Sequence, residues 1–166
     1  MQLYQIKTKQ YLPITIEEAW RFLSNPNNLA IITPPEMTFD VIDGADKEMF
    51  EGQIIQYYVS PFKGIKTKWV TEITHVSHQH FFVDEQRFGP YALWHHKHFI
   101  TAVEGGTLME DIVDYKLPLG ILGKLGHAAI VKNKLHRIFT FRAQKLEELF
   151  GKHPISKNTV IQKAIK

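Results

Sequence analysis

The sequence predicts an α+β fold in which a curved antiparallel sheet of seven strands wraps around one long C-terminal helix. Three observations carry this prediction. A first strand is followed by two short helical segments, six further strand-like stretches run on without a helix between them, and a single long amphipathic stretch closes the pattern. The inner face of such a sheet has only that one helix to cover it.

Residues 3–12, LYQIKTKQYL, read as the first strand. Thr15 makes an N-cap, with Glu18 three residues on, ahead of Ala19, Trp20, Phe22 and Leu23 in a short helix that Asn25-Pro26 ends. A second short helix over about 27–31 stops before Thr33-Pro34-Pro35, because a residue ahead of proline avoids the helical region. Strands follow at about 37–43, 53–59, 65–76, 79–87, 91–103 and 107–117, an unbroken meander. Gly105-Gly106 reads as a two-residue hairpin turn, since a type I′ turn needs positive φ at both central positions, and Ser77-His78 is a weaker signal of the same kind. After Leu117-Pro118 comes the glycine-punctuated stretch LGILGKLGHAA, and then a helix from about Ala128 to Phe150. At 1.5 Å per residue that helix is about 34 Å long, enough to cross the sheet. Val131, Leu135, Ile138, Phe139, Leu146, Leu149 and Phe150 define its apolar face, and Gly151 supplies the stop.

At 166 residues, with 44% hydrophobic and 12% aromatic side chains, the chain has the material for one core, and a monomer is the default. No stretch approaches the roughly 18 apolar residues of a membrane span, and the lysine-bearing N-terminus does not read as a secretory signal, so a cytoplasmic protein is expected. The absence of cysteine excludes disulfides, thiol nucleophiles and thiolate metal sites. The net charge of +3 is unevenly placed. Four of the twenty basic residues, Lys152, Lys157, Lys163 and Lys166, follow Gly151, which leaves sixteen basic against seventeen acidic groups in residues 1–151. The body is nearly neutral and no nucleic-acid partner is expected. Residues 1–151 read as a single ligand-binding domain and 152–166 as a basic, mobile tail.

Side chains alternate along a strand, so the charge-dense face is the wet one. Glu72, Glu85, Arg87, His95, Lys97, Glu110, Asp114 and Lys116 share it. The opposite face carries Trp69, Thr71 and Ile73, then Phe82, Asp84 and Gln86, then Trp94, His96 and His98, and finally Met109, Asp111, Val113 and Tyr115. A Gly105-Gly106 turn places His98 opposite Val113 and His96 opposite Tyr115, and a Ser77-His78 turn sets Thr71 opposite Asp84 and Trp69 opposite Gln86, each pair on the inner face. A pure packing core would not select these polar groups. Burying them unpaired costs several kcal/mol, so they must pair with each other, with water or with a ligand.

Asp84-Glu85-Gln86 followed by Gly89-Pro90, Trp94 with His96 and His98, Asp111, Tyr115 and Pro118, then Phe139 and Arg142, together resemble one branch of the SRPBCC (START-like, polyketide cyclase/dehydratase) superfamily. Glu17 to Trp20, Asn25-Pro26 and Thr33-Pro34-Pro35 look like the N-terminal region of that branch, and the resemblance spans about residues 1–150. It implies a helix-grip fold with a central hydrophobic cavity. Lipid carriers, hormone receptors and cyclases all occur on that fold, so it carries over no catalytic residue.

The candidate cavity residues are therefore Trp69, Thr71, Phe82, Asp84, Gln86, Trp94, His96, His98, Met109, Asp111 and Tyr115, with Ile138 and Arg142 from the long helix. His96-x-His98 with Asp111 or Asp84 has donor types and same-face spacing compatible with Zn²⁺. The reading adopted is a pocket with no metal and no cofactor, in which Asp84 or Asp111 orients an imidazole toward the ligand. A His-Asp pair in an apolar cavity also suits general acid-base chemistry. Arg142 either packs its stem while its head reaches water, or pairs with Asp84, Asp111 or an anionic ligand group. Gly120, Gly123 and Gly126 read as a flexible portal, since no phosphate-loop pattern surrounds them. Three functions follow from these residues taken with the resemblance, the third of them implied by the resemblance and the basic tail alone. The first is binding of a hydrophobic or amphipathic small molecule, lipid-like in character; the second is a cyclase/dehydratase-like enzyme using the His/Asp cluster; the third is a ribosome- or quinone-associated interaction module.

Overall fold

The computed structural model describes residues 2–62, 65–118, 126–154 and 158–165, with the backbone alone at 61–62 and 126–129. Strand β1 (Leu3–Leu12) leads into helix α1 (Ile16–Leu23) and a short 3₁₀ helix (Pro26–Ala30). The meander follows as β2 (Phe39–Asp43), β3 (Gln53–Phe62), β4 (Ile65–Ser77), β5 (Phe81–Phe88), β6 (Leu93–Val103) and β7 (Gly106–Lys116). Helix α2 (Gly126–Phe150) and strand β8 (Thr159–Ile165) complete the chain. One antiparallel sheet holds all the strands in the order β2-β3-β4-β5-β6-β7-β1-β8. This is the helix-grip arrangement, with the first strand returning beside the last of the meander.

Local sequence accounts for the connections. Thr15 caps α1 in a full capping box: its hydroxyl accepts from the Glu18 backbone N–H at 3.2 Å, and the Glu18 carboxylate accepts from the Thr15 backbone N–H at 3.0 Å. Gly151 ends α2 at φ 91°, its N–H bonded to the Glu147 carbonyl. The sheet's outer face carries the expected charge, paired as Lys97 with Asp114, Arg87 with Glu72 and, from β1, Lys9 with Glu110.

Three expectations are corrected. The sheet has eight strands instead of seven, because Thr159–Ile165 of the supposed tail pairs along β1 from Leu3↔Ile165 to Lys9↔Thr159. Without it β1 would present a long open row of backbone donors and acceptors. The β-branched residues Thr159, Val160 and Ile161 suit the strand, and Val160 packs on the core beside Ile6 and Tyr115. Second, the β6–β7 hairpin turns on Glu104-Gly105, not Gly105-Gly106, since Val103 pairs with Gly106. Gly106 is instead required by a close approach, because a Cβ there would lie 2.0 Å from the Leu12 carbonyl oxygen. Third, the β4–β5 hairpin has a three-residue loop, His78-Gln79-His80, with Gln79 at φ 60°, and a bulge lies between Ile73 and His75. Gly120 and Gly123 of the supposed portal lie outside the described residues.

Helix α2 buries Val131, Leu135 and Phe139 against Ile6, Val113 and Tyr115, and Leu146 against Leu12 and Met109. A separate cluster of Ile55, Tyr57, Val59 and Ile73 fills the β3–β4 side. Between that cluster and α2 lies a cavity. Among the described residues, no helix is long and apolar enough to cross a membrane.

Candidate functional site

The cavity has a volume of about 170 Å³ and a largely apolar wall. Ile55, Tyr57, Val59, Trp69, Thr71 and Ile73 form its β3–β4 side, and Phe82, Asp84, Trp94, His96 and His98 its β5–β6 side. Leu135, Ile138, Phe139, Arg142 and Lys134 close it from α2, while Leu23, Leu29, Phe39 and Met49 cover the opposite end. Trp69, Tyr91 and Trp94 pack together at 4.8–5.7 Å between ring centroids.

The polar corner is built by register. Asp84 of β5 stands directly opposite His96 of β6, and His98 directly opposite Asp111 of β7, so each imidazole meets one carboxylate across the strand pair and the other on the diagonal. The direct contacts are His96 Nδ1 to Asp84 Oδ2 at 3.3 Å and His98 Nδ1 to Asp111 Oδ1 at 2.9 Å. The diagonal ones are His98 Nε2 to Asp84 Oδ2 at 2.9 Å and His96 Nε2 to Asp111 Oδ1 at 3.3 Å. The two rings lie 3.7 Å apart, and Phe82 stacks on His98 at 4.1 Å. Asp111, almost fully buried, takes a further hydrogen bond from the Thr8 hydroxyl of β1 at 3.0 Å.

Electrostatics separates the roles of these groups. Burial alone would push the Asp111 carboxyl up, but the hydrogen bonds and charges of His96 and His98 outweigh it and hold the group well below the usual carboxylate range. Asp84 is lowered in the same way, burial being overcome by His96, His98 and Arg142. Burial pushes His98 down, yet hydrogen bonds and charge from Asp111 and Asp84 raise it above the ordinary imidazole value. For His96 burial wins, helped by the charge on His98, and its affinity for a proton falls. The contacts of His98 at 2.9 Å are shorter than those of His96 at 3.3 Å, in line with the opposite directions in which the two rings are shifted.

The structure brings Trp69, Thr71, Phe82, Asp84, Trp94, His96, His98, Ile138 and Arg142 together on the cavity wall. It places four predicted residues elsewhere. Asp111 lies behind the imidazoles and reaches the cavity only through them. Met109 is buried in the cluster with Leu12 and Leu146. Tyr115 stacks on Tyr4 at 5.5 Å within the core, where burial raises its hydroxyl to about 12. Gln86 spends both ends of its amide on the backbone of Tyr91, at 2.7 and 3.1 Å, and so holds Pro90 and Tyr91 against the cavity. Sequence reasoning missed the wall from β3. Ile54-Ile55-Gln56-Tyr57-Tyr58-Val59 is apolar on both faces and gives no parity signal, although Ile55 is buried while Ile54 is 45% exposed.

Asp84, His96 and His98 offer donor atoms within 4.8 Å of one another, a set whose types suit a divalent transition metal, with Asp111 placed to orient both imidazoles.

No family model matches the chain, and no curated protein does. Solved structures match it closely in shape. The ZhuI aromatase/cyclase from Streptomyces sp. R1128 superposes with a TM-score of 0.68 at 12% identity, covering 89% of this chain and 93% of that one. A START superfamily protein from Mycobacterium smegmatis gives 0.65 at 12% identity, covering 89% and 97%. Protein CV1439 from Chromobacterium violaceum gives 0.69 at 12% identity, covering 90% and 98%. The chain thus has the START-like (SRPBCC) helix-grip fold.

Proposed function

We propose that the protein binds a hydrophobic or amphipathic small molecule in the cavity between α2 and strands β3–β6, acting as a carrier or sensor in the cytoplasm. One observation supports this above others: a mainly apolar cavity with a cluster of polar groups, Asp84, His96, His98 and Arg142, at one corner of its wall. Apolar walls hold the body of a ligand, and a few convergent polar groups fix its orientation. A packing core at this position would have filled the volume. The expected result of native mass spectrometry on protein from its source is a retained small molecule of amphipathic character. Filling the cavity by Ile138→Trp should abolish that adduct and leave a folded protein. A wild-type mass equal to the bare chain after gentle purification, with no uptake of added lipids, would sink the reading.

Acid-base catalysis on the bound molecule is the second reading. The observation that favours it is the pair of imidazoles at the cavity wall, each within 3.3 Å of both carboxylates, with burial lowering the proton affinity of His96 and the carboxylates raising that of His98. Turnover of a trapped ligand, lost in both His96→Gln and His98→Gln while binding persists, is the result that would select it.

A further inference from the structure

Arg142 is placed as the binding group for an acid. It sits on α2 among Ile138, Phe139 and Leu146, its side chain only 11% exposed, with the guanidinium carbon 5.0 Å from the centroid of the Phe139 ring. Its Nε is buried and donates to nothing among the described residues. The nearest carboxylate oxygen, Asp111 Oδ2, is 3.9 Å from Nη1, beyond hydrogen-bond reach, and already accepts from Thr8. Two further oxygens at the corner, Asp111 Oδ1 and Asp84 Oδ2, each face both imidazole rings. Arg142 therefore lines the cavity with its buried Nε–H unpaired among the described residues. Leaving such a group unsatisfied is costly, which marks a place for an incoming acceptor.

The charge on the wall points the same way. Asp84 is the one carboxylate that lines the cavity among the described residues, while Arg142 and, two helical turns earlier, Lys134 also line it. Asp111 stands behind the imidazoles. The planar fork of arginine matches a carboxylate in two parallel N–H···O bonds, a geometry a single alcohol oxygen does not offer.

We propose that the ligand carries a carboxylate, held by Arg142, on an aliphatic or aromatic body that fills the apolar part of the cavity. This rests on the cavity-binding reading above and names the class of ligand within it.

The test uses the full chain, stripped of bound lipid, titrated calorimetrically with decanoate, 1-decanol and decyl phosphate. Decanoate should bind at least about tenfold more tightly than decanol, the equivalent of about 1.4 kcal/mol. Arg142→Gln should remove that preference, bringing the decanoate-to-decanol ratio to about one. Arg142→Lys, which keeps the charge without the fork, should retain part of it, and reads the same ratio should the glutamine variant fail to melt cooperatively. Equal affinity for acid and alcohol, or a preference that survives both substitutions, overturns the assignment to Arg142. Tighter binding of decyl phosphate than of decanoate overturns the carboxylate class. Binding of none of the three by folded protein overturns the cavity-binding reading itself.

Discussion

Asp111 shows how much one side chain can organise. Its two oxygens collect Thr8 of β1, His96 and His98 of β6 and, at longer range, Arg142 of α2, so one carboxylate ties three elements behind the cavity wall. Removing one partner of a buried charged set leaves the others uncompensated, which costs more than the pairing itself contributes. Asp111→Asn should therefore lower stability by about 3–5 kcal/mol at neutral pH, read by urea denaturation. The sign of the pH dependence follows from the shifts. A carboxylate lowered in the fold contributes stability that is present above its ordinary value of 3.8 and lost as the pH falls below it. His98, raised, contributes fully below its ordinary value of 6.5 and loses that contribution as the pH rises through the higher folded value. The gap between wild type and Asp111→Asn should thus narrow below about pH 4. A gap that stays constant down to pH 2 would contradict the ionised carboxylate.

At the scale of elements, the facing of β4 to β7 was legible in the sequence and their register was not. Period-2 alternation separates Glu85, His95 and Lys97 from Asp84, His96 and His98 whatever the turn, because a slip of two residues preserves the face. The β6–β7 hairpin was displaced by such a slip, which is why Asp111, instead of Val113, stands opposite His98, and the β4–β5 pairing, three residues off at its turn, is brought to a two-residue slip by the bulge after Ile73. The actual register depended on features with no strong sequence signal: a glutamine at positive φ, a bulge after Ile73, and a glycine required by the Leu12 carbonyl. The eighth strand was hidden for a different reason. Its lysines suggested a solvated tail, yet on an edge strand alternate side chains face water and charge there is at home. Its ties to the body include the Gln2 amide donating to the Ile165 carbonyl at 2.7 Å and His153 buried beside Tyr11. Deleting residues 152–166 should consequently lower the melting temperature by about 4 °C or more, at roughly 2–4 °C per kcal/mol for a chain of this size. An unchanged melting temperature would show that β1 does not need its outer partner.

Across the whole molecule, the core is divided by the cavity. The buried face of α2 is anchored on β1 and β7 through Ile6, Leu12, Met109, Val113 and Tyr115, whereas Ile55, Tyr57, Val59 and Ile73 form their own cluster on β3 and β4 and face α2 across the open volume. The β2–β4 half thus lacks the dispersion contacts that a filled interior would supply, and local opening is governed by such contacts. In the empty protein, amides of β3 and of the first half of β4 should exchange with deuterium faster than those of β6 and β7. A ligand that bridges the two halves replaces the missing contacts on the weaker side, so its protection should concentrate in β3 and β4 instead of spreading evenly. Globally, a ligand at about 100 times its dissociation constant should add about 2.7 kcal/mol to unfolding, because it binds the folded state alone. Hydrogen exchange followed by mass spectrometry with and without decanoate reads both effects. Equal exchange in the two halves of the empty protein would mean that the cavity carries no mechanical weakness, and protection confined to β8 or the outer sheet face would place the ligand somewhere else.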